Sequence, residues 1–449
     1  MVYFLRTMID TGPIFSAFGR GFSLVLEYWW VWLPLLLARS AYTQWLDYQK
    51  EKYLLSMKWT VLEIIPPPEI LYSSPKAAES FFSWLHSSYG GGIKWKEQMF
   101  GGKIPDWFSL EIISNGGETH FYIRCTEGQR NSVEAALFSQ YPQAEIRPVE
   151  DYIQLLPAEF DSVNYDIAGS DFVCTQPSAY PIKSWQEFED AGGKDEYARL
   201  DPLAPLLEIM SALNPGEHLW LQYIIRPTGG DWIKNGHEVV DKMVGREPKP
   251  ENLHLLIRIL SVPVFLIQGM FSMFSSSTPV EEKKKEEKPF SLQSLTPADK
   301  LVLEQVQLKL SKLAFKTAIR TVYIARKEAF NGARSASVSG MMKQLFYTNL
   351  NTFKPGNGTK DKGILAWMFP SDKGFFAAER ILKKKSGLYK AYMKRLFSPP
   401  SKKLKDFPII LNVEELATLW HMPSLNVKAP LLPRVQAKKG QPPAMLPTR

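Results

Sequence analysis

Trp107–Cys125 reads WFSLEIISNGGETHFYIRC. Two runs rich in β-branched and aromatic residues, Trp107–Ser114 and Thr119–Cys125, flank Asn115-Gly116-Gly117. That pattern predicts a β-hairpin, because adjacent glycines supply the positive φ angles a tight turn needs. Before the hairpin, Lys58–Ile65 (KWTVLEII) has strand character and stops at Pro66-Pro67-Pro68. Ser74 can cap the next segment, Pro75 suits a first helical turn, and Lys76–Ser88 is expected to be helical. After the hairpin, Gln129–Tyr141 places Val133, Ala136 and Leu137 on one helical face, and Ala144–Leu155 returns to strand character. The order is β-α-β-β-α-β, which predicts a ferredoxin-like domain over 58–160.

A second, interrupted copy is expected over 161–355. Asp171–Thr175 would be its first strand, Pro202–Leu213 a helix, His218–Arg226 and Phe315–Arg326 strands, and Glu328–Phe346 a helix. A long insertion, 227–297, separates its halves. Within the insertion, Leu253–Phe274 is apolar and suits either a surface-lying or a buried helix. The charge-mixed stretch 275–291 reads as a linker.

The chain of 449 residues is long enough for two or three domains. Aromatic residues make up 13% of it, which argues for folded cores rather than wholesale disorder. Its two cysteines, Cys125 and Cys174, are far apart and signal neither a zinc site nor a disulfide framework. The net charge of +8 suits an anionic neighbour, whether lipid or nucleic acid.

Near the start, Phe22–Ala38 (FSLVLEYWWVWLPLLLA) carries Glu27 as its one charge. This predicts an anchor over 1–57 with a transmembrane helix that uses Phe22, Leu26, Trp29, Trp30, Trp32 and Leu36. Arg39, Lys50, Lys52 and Lys58 follow it, so the expected topology is single-pass in the cell membrane with the bulk of the chain cytoplasmic. The expected fold is therefore α+β: a membrane helix, then one or two ferredoxin-like domains, then a basic and proline-rich tail.

The segment 356–410 holds the strongest charge. From Lys373 to Lys405 there are eleven Lys or Arg residues against one acid, Glu379. Lys383, Lys384, Lys385, Lys390, Lys394 and Arg395, interleaved with Tyr389 and Tyr392, are candidates for binding nucleic acid or anionic lipid. A solvated basic helix is the plainer alternative.

Catalytic signatures are missing from the sequence. A nucleotide-binding loop needs spaced glycines followed by Lys and a hydroxyl residue, and Gly101-Gly102-Lys103 is followed by Ile104. His237-Glu238 begins a zincin-like pattern, but Asp241 stands where the second histidine is required. No catalytic residue, metal ligand or cofactor is assigned, and a non-enzymatic protein is expected.

Several blocks resemble proteins of bacterial conjugation gene clusters, well represented in candidate-phyla genomes. Ser73–Glu79 (SSPKAAE) resembles their SPKAME segment. Trp107–Ser114, His120–Arg124, Gln140-Tyr141-Pro142, Ala179–Lys183, Asp201-Pro202-Leu203, Lys312–Arg326 and Asn349–Phe353 are similar to later blocks, in order. The last, Leu411–Pro430 within 411–449, resembles the segment before the motor domain of type IV secretion and FtsK–HerA-like ATPases. The resemblance implies an accessory or adaptor component of a secretion or conjugative DNA-transfer machine, in a multi-subunit assembly with a motor ATPase on a separate polypeptide. Glu414, Glu415, Leu416, Leu419 and Trp420 would then dock that partner or, alternatively, close the chain's own core.

Overall fold

The hairpin forms where expected. Strands β2 (Phe108–Asn115) and β3 (Glu118–Thr126) pair antiparallel with Asn115 opposite Glu118, so Gly116-Gly117 is a two-residue turn. Both glycines have positive φ, 60° and 97°. Any other residue would be strained at both positions.

The computed structural model describes residues 29–67, 74–87, 93–191, 200–245, 296–345, 349–359, 377–397, 407–423 and 432–434. Before and around the hairpin lie α1 (Trp29–Ser56), β1 (Trp59–Ile65), α2 (Ser74–Ser87) and α3 (Trp95–Gly101). After it come α4 (Arg130–Gln140), β4 (Glu145–Val149), a short 3-10 turn (Tyr152–Leu155), β5 (Tyr165–Cys174), α5 (Trp185–Ala191), α6 (Ala204–Ser211) and β6 (Glu217–Pro227). The remainder is α7 (Asp231–Met243), α8 (Pro297–Ser311), β7 (Ala314–Arg326), α9 (Gly332–Met341), β8 (Phe353–Gly358), α10 (Ala377–Met393), β9 (Ile409–Asn412) and α11 (Val413–Leu419).

Two units form. The first is Met1–Trp59 with Gly91–Asp106, and its described helices are α1 and α3. The second is Thr60–Gly90 with Trp107–Arg449, and it contains the sheet.

The sheet overturns the expected fold class. In place of a membrane helix followed by ferredoxin-like domains, the described strands join one nine-stranded sheet in the order β4-β1-β3-β2-β6-β7-β5-β8. The join is the antiparallel β2–β6 pairing, Phe108 opposite Ile225 through Asn115 opposite His218. Sequence periodicity predicts strands but not which edges meet, and here both edges that would have bounded separate sheets are used against each other. The path fourth-first-third-second over β1–β4 recurs over β5–β8. β9 pairs with Ala314–Thr317 of β7, while β5 pairs with Ile319–Arg326 of the same strand.

The membrane helix and the single-pass location are corrected as well. Among the described residues, no helix is long and apolar enough to cross a membrane. α1 contains Pro34 and meets Arg39 after only ten residues; Asp47, Lys50, Glu51 and Lys52 follow. A span needs roughly 20 predominantly apolar residues. Trp29, Trp30, Trp32 and Leu36 fall on α1, with Trp30 exposed, while Phe22 and Leu26 lie outside the described residues. Leu253–Phe274 and the linker 275–291 also lie outside them.

Both faces of the sheet centre are covered, which explains why β2 is buried at seven successive positions. On one face pack Phe81 and Phe82 of α2, Val133 and Leu137 of α4, Leu206 and Leu207 of α6, and Val338 of α9. The other face carries Ile113, Tyr122, Trp220, Val322 and Ile324 beneath Tyr152, Leu388, Tyr389 and Tyr392. The last three of those residues belong to α10, so the basic helix is a structural layer of the protein.

Candidate functional site

Beneath α10 an ionic row crosses the apolar sheet. Tyr122, Glu111, Gln222, Arg320 and Asp171 are successive register partners on β3, β2, β6, β7 and β5. Cross-strand partners share a face, so the five side chains line up under the helix. Glu111 is fully buried, and Asp171 and Arg320 are almost so. A charge in that setting is tolerated only when paired and hydrogen-bonded.

The pairing comes from the end of α10. Arg395 Nε donates to Glu111 Oε1 at 2.7 Å and its Nη2 to Glu111 Oε2 at 3.0 Å. The same guanidinium reaches Asp151 through Nη1 at 2.7 Å and Nη2 at 2.8 Å. Ser109 Oγ and Gln222 Nε2 also donate to Glu111 Oε1, at 2.5 and 3.0 Å. Burial alone would push the Glu111 carboxyl up, but the Arg395 charge and these hydrogen bonds outweigh it and hold it at about 2.

Arg320 secures the same helix from below. Its Nε donates to Asp171 Oδ1 at 2.7 Å, and its Nη1 donates to the carbonyls of Ala391 at 2.8 Å and Leu396 at 3.2 Å. A cation at a helix C-terminus satisfies carbonyls that have no partner within the helix. Burial raises the Asp171 carboxyl above its ordinary value, and Arg320 offsets this only in part. Asp171 Oδ2 and Arg320 Nη2 are buried without a hydrogen-bond partner among the described residues.

The local backbone explains how Arg395 gets there. Leu396 N–H donates to Ala391 O at 3.0 Å and Arg395 N–H to Tyr392 O at 2.9 Å, a Schellman ending. Arg395 occupies the left-handed position of that ending, with φ 48°, where glycine is the usual residue. Further supports are Tyr392 Oη with Tyr152 Oη at 2.8 Å, Lys385 with Asp166, and Tyr389 with the Pro157 carbonyl. Burial raises the Tyr152 and Tyr392 phenols well above the ordinary tyrosine range.

The six basic residues expected as one binding run are therefore divided. Arg395 is buried and Lys385 is half-buried in an ion pair, as is Lys384 in exposure, whereas Lys383, Lys390 and Lys394 are exposed. Glu111, Asp151, Asp171, Gln222 and Arg320 were not anticipated. For Glu111 and Gln222 the signal was a single polar residue inside an apolar run, FSLEIIS and LWLQYII. A residue there, buried on both sides, implies a partner.

The expected docking residues belong to the core. Glu414, Glu415, Leu416, Leu419 and Trp420 are all buried. The Trp420 ring lies 5.9, 6.0 and 6.4 Å from those of Phe81, Phe82 and Phe121. Lys309 Nζ donates to Glu415 Oε1 and to the Ile410 carbonyl, each at 3.0 Å. Glu415 also completes a capping box with Asn412 at the start of α11. Of the two readings of this segment, closure of the chain's own core is the one that forms.

Among the described residues no group of three or more His, Cys, Asp or Glu is placed to hold a metal ion. His237, Glu238 and Asp241 lie on α7, with His237 and Glu238 exposed.

Fold and site together define an α+β protein whose single large sheet carries a basic helix locked down by a buried ionic row. The chain belongs to a family described as a domain of unknown function (DUF8128), whose profile matches residues 95–355. That stretch holds Glu111, Asp151, Asp171, Gln222 and Arg320, while Arg395 lies beyond it. No curated protein matches the chain.

Proposed function

We propose that this protein is a non-enzymatic accessory component of a bacterial type IV secretion or conjugative DNA-transfer machine, working beside a motor ATPase on a separate polypeptide. The observation that carries the reading is the fate of the block that resembles the lead-in to such motors. Residues 409–420 are joined to the body by the β9–β7 pairing, the buried Lys309–Glu415 ion pair and Trp420. An assembly platform needs rigid placement of the segment next to its partner, and a strand and helix built into the core supply it. The contact with the motor then falls on exposed surface, since Leu416 and Trp420 are occupied internally.

The test is crosslinking in the source cells followed by purification through a tag on this chain. The expected product contains a polypeptide with a GxxxxGK phosphate loop followed by Ser or Thr. Recovery of the chain without such a partner contradicts the reading. So does ATP turnover that co-purifies with the wild type and disappears in a point variant of this chain.

A further inference from the structure

The outer side of α10 has no role in the scaffold just described. Lys383, Lys390 and Lys394 are exposed and make no ion pair among the described residues. They are seven and four residues apart. With 3.6 residues per turn, this sets them within about 20° of one line along the helix. Lys394 follows the last residue of α10, but its N–H still donates to Lys390 O at 3.0 Å, so the helical spacing continues to it. The line is ~16 Å long at 1.5 Å of rise per residue. Gly387 falls between Lys383 and Lys390 on it, and one acid, Glu379, lies a turn before Lys383.

We infer that Lys383, Lys390 and Lys394 form a strip that binds the phosphate backbone of a nucleic acid. Three observations favour that partner. First, the charge is arranged in a line, and a nucleic-acid backbone is a linear array of negative charge. Secondly, two inward cations are neutralised by buried or half-buried carboxylates: Arg395 by Glu111 and Asp151, Lys385 by Asp166. The outer lysines thus have no competing carboxylate among those groups. Thirdly, the apolar side of α10, Leu388, Tyr389 and Tyr392, is buried on the sheet. A helix that lies on a bilayer inserts its apolar side, whereas that side of α10 is taken up by the sheet and Leu382 is, among the described residues, the one large apolar side chain the helix leaves exposed. The strip offers no planar hydrogen-bonding group to read base edges, so its binding is independent of sequence.

This inference goes beyond the accessory-component reading and fails separately from it, since one is read by ATPase recovery and the other by DNA titration. The experiment is fluorescence anisotropy of the purified full-length chain against a labelled 30-mer, as duplex and as single strand, over a salt series. The comparison is with the triple variant Lys383→Gln, Lys390→Gln and Lys394→Gln. A control replaces the exposed Lys76, Lys234 and Lys300 with Gln. The strip should supply about 0.9 of log–log salt slope per lysine on duplex and about 0.7 on single strand. The triple variant should lose about three times that slope, and the control none. Replacing the same three lysines with Arg should retain binding. Absence of DNA binding by the wild type, or an unchanged slope in the triple variant, overturns the proposal. It is also overturned if the triple variant loses binding to phosphatidylserine vesicles while its DNA binding is unaffected.

Discussion

Arg395 and Glu111, 284 residues apart in sequence, share two hydrogen bonds in the interior of the protein. One residue ends a basic helix and the other sits in the middle of the sheet. The contact turns a stretch of chain with a strong positive charge into a fixed layer of the fold. Its cost and its removal are both measurable.

Removing Arg395 leaves the buried Glu111 charge without its counterpart, whereas removing Glu111 leaves Arg395 paired with Asp151. Arg395→Ala should lower unfolding stability by about 3–5 kcal/mol. The double variant Arg395→Met with Glu111→Leu should lose less than the sum of the two single changes, because no charge is then stranded at Glu111. Urea denaturation of the four proteins measures this, and strictly additive losses would contradict the coupling.

The backbone at Arg395 gives an independent test. Its φ of 48° suits glycine, so the native residue is held there by its side chain. Arg395→Gly and Arg395→Ala both remove the guanidinium, but only the glycine relieves the backbone. The glycine variant should be the more stable of the two by about 1 kcal/mol. Equal stabilities would show that the left-handed turn carries no strain.

Acid should weaken the clamp in a defined window. The Glu111 carboxyl is held down at about 2 in the folded protein, so its contribution is fully present above its unfolded pKa. It is lost as pH falls from ~5 toward 2, with roughly 3 kcal/mol at stake in the whole interval. Asp171 acts with the opposite sign, since its carboxyl is raised and protonation relieves its burial. The useful measurement is therefore the difference between the wild type and Glu111→Gln across pH 2–7. That difference should shrink as the pH falls, and a constant difference would contradict the assignment.

Much of the sequence could be read, though its assembly could not. Gly116-Gly117 marked the hairpin because only a tight turn with positive φ wants two glycines there. The apolar runs marked β2, β3, β6 and β7 because strands impose a short period. Nothing local in Phe108–Asn115 or Glu217–Pro227 says that they pair with each other, so separate sheets were expected where one forms. The apolar run Phe22–Ala38 suggested a span, yet the helix Trp29–Ser56 continues through Asp47–Lys52. The basic run was visible, but its division into Arg395 facing inward and Lys390 facing outward depends on where α10 is seated. Trp420 was ambiguous for the same reason, being apolar in a short helix with either fate open.

Trp420 itself should behave as a core residue. It is fully buried against Phe81, Phe82 and Phe121, so Trp420→Ala should cost about 3–5 kcal/mol and lower the melting temperature of the isolated protein. A variant that melts like the wild type would return this residue to the surface and to partner docking.

The locking of α10 onto the sheet is the central claim, and hydrogen–deuterium exchange of residues 388–393 tests it most directly. In the wild type these amides should exchange as slowly as those of β7. In Arg395→Ala they should exchange much faster, while α4, which is packed on the other face, keeps its protection. Fast exchange of 388–393 in the wild type, or no change on removing Arg395, would contradict the account.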